Sequence, residues 1–164
     1  MKFVFSFLLL LSFIKANTQT EVTGTWVGKI FDTQNINSYD SVSITFNLKL
    51  EANNKITGTT TAYYTAGAFA HFAVSGKLYK KKDGFYVQED KLVESNFRIK
   101  IAVHMDRYDF SFQKENPDEL EGTSICIKAM SMHVPCHGNI KFTVKKTLLL
   151  KTEKIGTDST TVNQ

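Results

Sequence analysis

The side chains best suited to binding a metal lie near the C-terminal end of the chain, around its two cysteines. Imidazole nitrogens and thioether sulfurs are ligands that copper accepts. The residues that supply them are Met130, Met132, His133 and His137. If Cys126 and Cys136 form a disulfide, no thiolate remains, and no spacing typical of zinc sites is present. We therefore predict a disulfide-closed loop that carries these side chains, with no metal and no cofactor.

Three carboxylates lie close together in the middle of the chain, where they could supply an acid and a base. Glycoside hydrolysis needs two carboxylates facing each other across a cleft. Glu89 and Asp90 are neighbours on a predicted strand and point to opposite faces, so they cannot act as a pair. We predict that Glu89, Asp90 and Glu94 are solvated. No nucleophile elbow or phosphate-binding loop is present, and we predict no enzymatic activity.

The basic residues are scattered along the chain, and only two of them are arginines. Arg98, Lys100 and His104 share one side of a predicted strand and would bind an anionic head group only if that side faced inward. The opposite side is apolar, so we expect the three to be solvated. The net charge is +4, but the basic residues do not cluster into the patch that is typical of nucleic-acid-binding proteins. We predict no nucleic-acid partner.

The N-terminus has the features of an export signal. Lys2 precedes an apolar run of 12 residues, Phe3 to Ile14, which is too short to span a bilayer. We assign residues 1–16 to a signal peptide, cleaved near Ala16, and predict a secreted or periplasmic protein. In such an oxidising compartment, the pair Cys126 and Cys136 is expected to form a disulfide. No later segment is long and apolar enough to span a membrane.

Alternating apolar and polar residues dominate the rest of the sequence, as in half-buried strands. Val42, Ile44, Phe46, Leu48 and Leu50 give the clearest example. Similar patterns, separated by turn residues, predict eight or nine antiparallel strands. We predict an all-β, single up-and-down barrel over residues 17–146, with a sandwich as the alternative, and a disordered tail over residues 147–164.

The opening Gly24-Thr25-Trp26 resembles the first-strand motif of lipocalins, fatty-acid-binding proteins and avidins. The hairpin exit Lys55–Thr59 is similar to that of avidin and lipocalin-like barrels. The chain also resembles small exported Bacteroidota proteins. The motifs shared with those proteins are Gly24–Trp26, a strand containing Glu89 and Glu94, Leu120–Thr123 and Cys136–Ile140. These resemblances imply a closed barrel with Trp26 packed across one end. With one tryptophan, the chain lacks the stack by which avidins hold biotin.

Aromatic side chains are numerous enough to line a cavity inside such a barrel. The candidates for contact with a ligand are Trp26, Tyr64, Phe72, Phe85 and Phe110. Small barrels either hold one ligand or fill with their own side chains. We expect an exported barrel that binds a small, mainly apolar ligand in its interior. The alternative is a filled barrel that serves as a structural or protein-interaction module.

Overall fold

The chain folds into a closed antiparallel β-barrel. The computed structural model describes residues 22–31, 41–64, 67–81, 83–96, 104–129 and 138–147. Its strands are β1 (Gly24–Phe31), β2 (Ser41–Leu50), β3 (Lys55–Tyr63), β4 (Phe69–Leu78), β5 (Gly84–Ser95), β6 (His104–Phe112), β7 (Glu119–Ala129) and β8 (Ile140–Thr147). Each strand pairs with the next, and β8 pairs with β1. The predicted up-and-down barrel is confirmed, and the alternative sandwich is wrong.

Strand β2 shows how the sequence pattern produces the barrel wall. Ile44, Phe46 and Leu48 are buried, while Thr45 and Asn47 between them lie on the outer surface. The turn into β3 is short because Asn53 and Asn54 adopt positive φ angles of 61° and 62°. Asparagine tolerates this left-handed backbone better than most residues do. Alternation and turn chemistry therefore act together in this hairpin.

One end of the barrel is closed by its single tryptophan. Trp26 is fully buried, and its indole Nε1 donates a hydrogen bond of 3.0 Å to the carbonyl oxygen of Val22. The ammonium nitrogen of Lys146 lies 5.3 Å from the centre of the indole ring, which is within the range of a cation–π contact. Trp26 is therefore buried near the start of β1, where the resemblance to lipocalins and avidins implied that it would pack.

Two strands depart from regular pairing. Strand β6 runs through Asp106 and Arg107, with a register shift against β7 between Met105 and Asp106. Val93 has the same odd-numbered spacing as Phe85 and Val87, but it is 56% exposed. Two register shifts between β4 and β5 change the side to which residues of late β5 point.

Several predictions fall on other parts of the chain. The predicted signal peptide, residues 148–164 of the predicted tail, and the segments 97–103 and 130–137 all lie outside the described residues. Cys136 is in the last of these segments, so the disulfide remains a prediction. Within the described residues, no helix has the length and apolarity needed to cross a membrane.

Candidate functional site

A cluster of polar side chains lies inside the barrel on β5, β6 and β7. Glu89 is only 3% exposed. Its Oε1 accepts a hydrogen bond of 2.9 Å from the hydroxyl of Tyr108, and its Oε2 accepts one of 2.9 Å from the backbone N–H of Asp106. The Oδ2 of Asp106 accepts a bond of 2.8 Å from the fully buried hydroxyl of Ser124. We call Glu89, Asp106, Tyr108 and Ser124 the acidic cluster.

Strand geometry explains how two carboxylates come together inside the barrel. Side chains two positions apart in a strand share a face, so Glu89 points inward with the buried Val87, and Asp106 lies in phase with the buried Tyr108. Backbone pairing between described residues of β5 and β6 ends at the pair Gln88 and Arg107. One residue further, the N–H of Asp106 bonds to the Glu89 carboxylate. The carboxylate of Glu89 therefore takes the place of a backbone carbonyl as the next acceptor in the hydrogen-bond ladder between β5 and β6.

Tyr64, which follows β3, belongs to the surroundings of the acidic cluster. Burial raises the pKa of its hydroxyl strongly, and the negative charges of Glu89 and Asp106 raise the pKa further. The pKa of Tyr108 is raised well above its usual value for the same two reasons, with burial again the larger. Both tyrosines are therefore neutral hydrogen-bonding groups at ordinary pH. Their hydroxyls add polar character to the wall that holds the carboxylates.

An apolar surface adjoins this polar wall. Ala70, Phe72 and Met105 form a buried cluster, and the partly buried side chains of Tyr64 and Leu92 pack against it. It is separate from the larger core that contains Trp26. The end of the barrel away from Trp26 therefore combines carboxylates and hydroxyls with apolar and aromatic side chains. Such a combination is typical of sites that hold a small molecule and fix its orientation.

The middle of the barrel is filled by aromatic rings. The ring centre of Phe46 lies 4.9 Å from that of Tyr108 and 5.2 Å from that of Phe110, both nearly perpendicular. Phe85 stacks on Phe110 with a centre distance of 4.8 Å, and Phe142 lies 5.7 Å from Phe110. These separations are those of aromatic rings in direct contact. The part of the barrel around Phe46 is packed by its own side chains.

The candidate ligand contacts from the sequence therefore divide into two groups. Tyr64 and Phe72 lie beside the acidic cluster, whereas Phe85 and Phe110 belong to the packed aromatic core and Trp26 closes the opposite end. The structure does not bring all five together around one space. Whether any of them contacts a ligand remains a prediction.

The structure corrects the expectation for one of the three carboxylates. Glu89 was expected to be solvated and is buried, while Asp90 and Glu94 are exposed as expected. Sequence reasoning missed Asp106 and Ser124 altogether. The sequence does contain a signal for Asp106, because it lies in phase with Tyr108 and Phe110. No comparable signal distinguishes Ser124 from the other serines of the chain.

The structure says little about the other side chains that the sequence offers as ligands for a metal or an anion. Nδ1 of His104 lies 3.4 Å from Sγ of Cys126. Arg98, Lys100 and the donors Met130, Met132, His133 and His137 lie outside the described residues. Within the part of the chain that the structure describes, no group of three or more His, Cys, Asp or Glu residues has the geometry to hold a metal ion.

Comparison with known proteins agrees with the fold. No protein-family model and no curated protein matches this sequence. The chain is similar in structure to a de novo designed fluorescence-activating β-barrel, with a TM-score of 0.51 and 10% identity, over 79% of this chain and 97% of the designed one. This likeness shows the barrel architecture, which is also the coarse architecture of lipocalins. The resemblance to exported Bacteroidota proteins receives no support here and remains a prediction.

Proposed function

We propose that this protein is a carrier that binds one small molecule at the barrel end away from Trp26. The ligand has a mainly apolar body and a head group that donates hydrogen bonds, most simply an ammonium group. The observation that carries the proposal is the burial of Glu89 beside Asp106 within an otherwise apolar interior. A buried carboxylate loses much hydration energy, so a barrel core that served only for stability would do better with apolar side chains at these positions.

Charge and shape both favour this class of ligand. The acidic cluster places two carboxyl groups on one wall, so it attracts a cation or a hydrogen-bond donor and repels an anion. The adjoining apolar surface of Phe72, Met105 and Leu92 suits a hydrocarbon or aromatic body. A fatty-acid carboxylate would meet like charge at this end. The sequence predicts a mainly apolar ligand, and the acidic cluster adds the requirement for a head group that donates hydrogen bonds.

The proposal retains two expectations from the sequence. The N-terminal segment supports export to the periplasm or the cell exterior, where the ligand would be collected. Binding requires no bond to be made or broken, so the carrier needs neither a catalytic residue nor a cofactor.

A filled structural or protein-interaction module is the second candidate, and the aromatic core favours it. The rings of Phe46, Phe110 and Phe142 occupy the middle of the barrel, so only the end with the acidic cluster can take a ligand. If side chains fill that end as well, the protein acts through its outer surface.

Native mass spectrometry and calorimetry separate the two candidates. The purified protein is examined for a co-purifying small molecule, then titrated with octylamine and with octanoate, which share the same chain length. The carrier proposal predicts binding of octylamine and at least tenfold weaker binding of octanoate. We expect Glu89→Gln to weaken octylamine binding at least tenfold, because it removes the negative charge while preserving the side-chain shape.

Glu121→Gln is the matched control, because Glu121 is an exposed residue on β7. We expect it to bind octylamine as the wild type does. Equal affinity for the two probes, or no effect of Glu89→Gln, would refute the role of the acidic cluster. No bound molecule of any kind would favour the filled module.

A further inference from the structure

The outer surface of β2, β3 and β4 is unlike the rest of the barrel because no charged side chain interrupts its centre. Cross-strand pairs place three rows side by side: Thr45 with Thr61 and His71, Asn47 with Thr59 and Ala73, and Ser43 with Tyr63 and Phe69. Thr57 and Ser75 continue the pattern on β3 and β4, and the β2 residue paired with Thr57 is the charged Lys49. We call this set the neutral face. Neighbouring side chains on it are about 4.8 Å apart across strands and about 6.7 Å apart along them.

The lack of charge is confined to the centre of these three strands. About 25–35% of a typical protein surface consists of Lys, Arg, Asp and Glu. Such residues border the set, since Lys49 pairs with Thr57, Lys91 with Ala73 and Glu94 with His71. The outer surface of β6, β7 and β8 shows the usual mixture, including Arg107, Asp109, Glu121 and Lys141. The neutral face is therefore a distinct region of the barrel.

Its side chains offer two kinds of contact at once. A threonine presents a hydroxyl that donates and accepts hydrogen bonds, together with a methyl group that contacts carbon. Three side chains of the face make short hydrogen bonds, and Thr61 among them is only 9% exposed. The Oγ1 of Thr61 lies 2.7 Å from Nδ1 of His71, and the hydroxyl of Thr25 donates to Oδ1 of Asn47 over 2.7 Å. The face is therefore a preformed surface of ordered polar groups.

An exposed aromatic ring lies at one end of the neutral face. Tyr63 is 51% exposed, and its ring centre lies 6.5 Å from that of the neighbouring Phe69. Because the ring of Tyr63 is exposed, it does not add buried area to the core as aromatic rings usually do. It leaves a flat apolar surface next to a row of hydroxyls. A sugar ring has the matching character, because its C–H groups can cover an aromatic ring while its hydroxyls bond to Thr, Asn and His.

We propose that the neutral face binds an uncharged polysaccharide. Nucleic acids and anionic polymers would need Lys or Arg at its centre. The face measures about 10 Å by 20 Å, far below the roughly 800 Å² per partner of a stable dimer. A neutral, hydroxyl-rich chain fits the charge, the chemistry and the elongated shape. This proposal is independent of the barrel interior.

Affinity electrophoresis of the full chain tests the proposal. The protein is run through native gels containing dextran, mixed-linkage β-glucan or glucomannan, and through a gel containing alginate as an anionic control. We expect retardation by at least one neutral polymer and a dissociation constant that 0.5 M salt leaves unchanged within twofold. Thr59→Lys places a charge at the centre of the face, and Tyr63→Ala removes the ring. Each is expected to weaken binding at least tenfold.

Thr143→Lys is the matched control for the added charge, because Thr143 is an exposed outer residue of β8. It should bind as the wild type does, and the fluorescence of Trp26 verifies folding of every variant. The proposal is overturned if no neutral polymer retards the wild type, if Thr59→Lys is retarded equally, or if retardation occurs only with alginate. Dimerisation in sedimentation equilibrium that Thr59→Lys abolishes would instead assign the face to a second copy of the chain.

Discussion

The packed aromatic core makes a strong prediction about Phe46. Phe46 is fully buried and is in ring contact with Tyr108, Phe110 and Phe142. Truncating a buried phenylalanine to alanine costs about 3–5 kcal/mol of unfolding free energy. Because three aromatic pairs are lost, each worth about 0.5–1.5 kcal/mol beyond area burial, we expect Phe46→Ala to cost about 4–5 kcal/mol.

This cost can be measured with the native fluorophore. Trp26 is the only tryptophan and is buried, so its emission reports unfolding of the barrel in urea. For a domain of about 150 residues, each kcal/mol corresponds to roughly 2–4 °C in melting temperature, and Phe46→Ala should lower Tm by roughly 8–20 °C. Phe31→Ala is the same chemical change at a residue that is 57% exposed. It should change the unfolding free energy by no more than about 0.5 kcal/mol.

A small cost for Phe46→Ala would refute the reasoning. If the variant lost less than about 1.5 kcal/mol, or no more than Phe31→Ala, the aromatic rings would not form a tightly packed core. The barrel would then have space around Phe46 for a ligand, and the proposed division between a filled middle and a polar end would be wrong.

Four further substitutions test other parts of the structure in urea unfolding. Gly76→Ala should cost about 3 kcal/mol, because the added Cβ would clash with the backbone carbonyl oxygen of Tyr86 on β5. Gly67→Ala, with no atom within 4 Å but a φ of 75°, should cost only about 1–2 kcal/mol. If Cys126 and Cys136 are paired, the denatured protein has no titratable thiol and Cys126→Ser costs about 2.8 kcal/mol. Above pH 10, unfolding releases the Tyr108 proton that the folded state retains, since its folded pKa is raised. Tyr108 alone should then lower the unfolding free energy by about 1.4 kcal/mol per pH unit, and Tyr108→Phe should remove that component. Tyr64 adds a component of its own, because its folded pKa is also raised.

Each of these expectations has an outcome that contradicts it. Equal costs for the two glycine substitutions would exclude a steric clash at Gly76. Two titratable thiols in the unreduced protein would refute the disulfide. An unchanged pH dependence in Tyr108→Phe would show that this hydroxyl ionises alike in the folded and unfolded states.

The strands could be predicted from the sequence because their information is local. Alternation in β2 identifies Ile44, Phe46 and Leu48 as interior residues, and the turn residues identify where hairpins reverse. The exposure of Val93 could not be predicted in this way. Register shifts arise from how two strands fit together, and no spacing within one strand reveals them.

The acidic cluster was missed for a related reason. Glu89 lies in phase with Phe85 and Val87, so its position indicates the interior while its charge indicates solvent. The free-energy cost of burying Glu89 is lowered because the N–H of Asp106 and the hydroxyl of Tyr108 donate hydrogen bonds to its carboxylate. Those donors lie on another strand, 17 and 19 positions along the chain. Sequence spacing does not show which side chains will meet across a barrel.

The pairing of β1 with β8 has a consequence for how the chain folds. Thr25 pairs with Thr147, 122 positions further along, so closure must join the two ends of the barrel sequence. Loop-closure entropy opposes such distant contacts, and all-β proteins of this kind fold in milliseconds to seconds. Until β8 docks, β1 and β7 each present an open edge that can pair with another molecule. The last strand therefore sets the time during which a nascent barrel is exposed to aggregation.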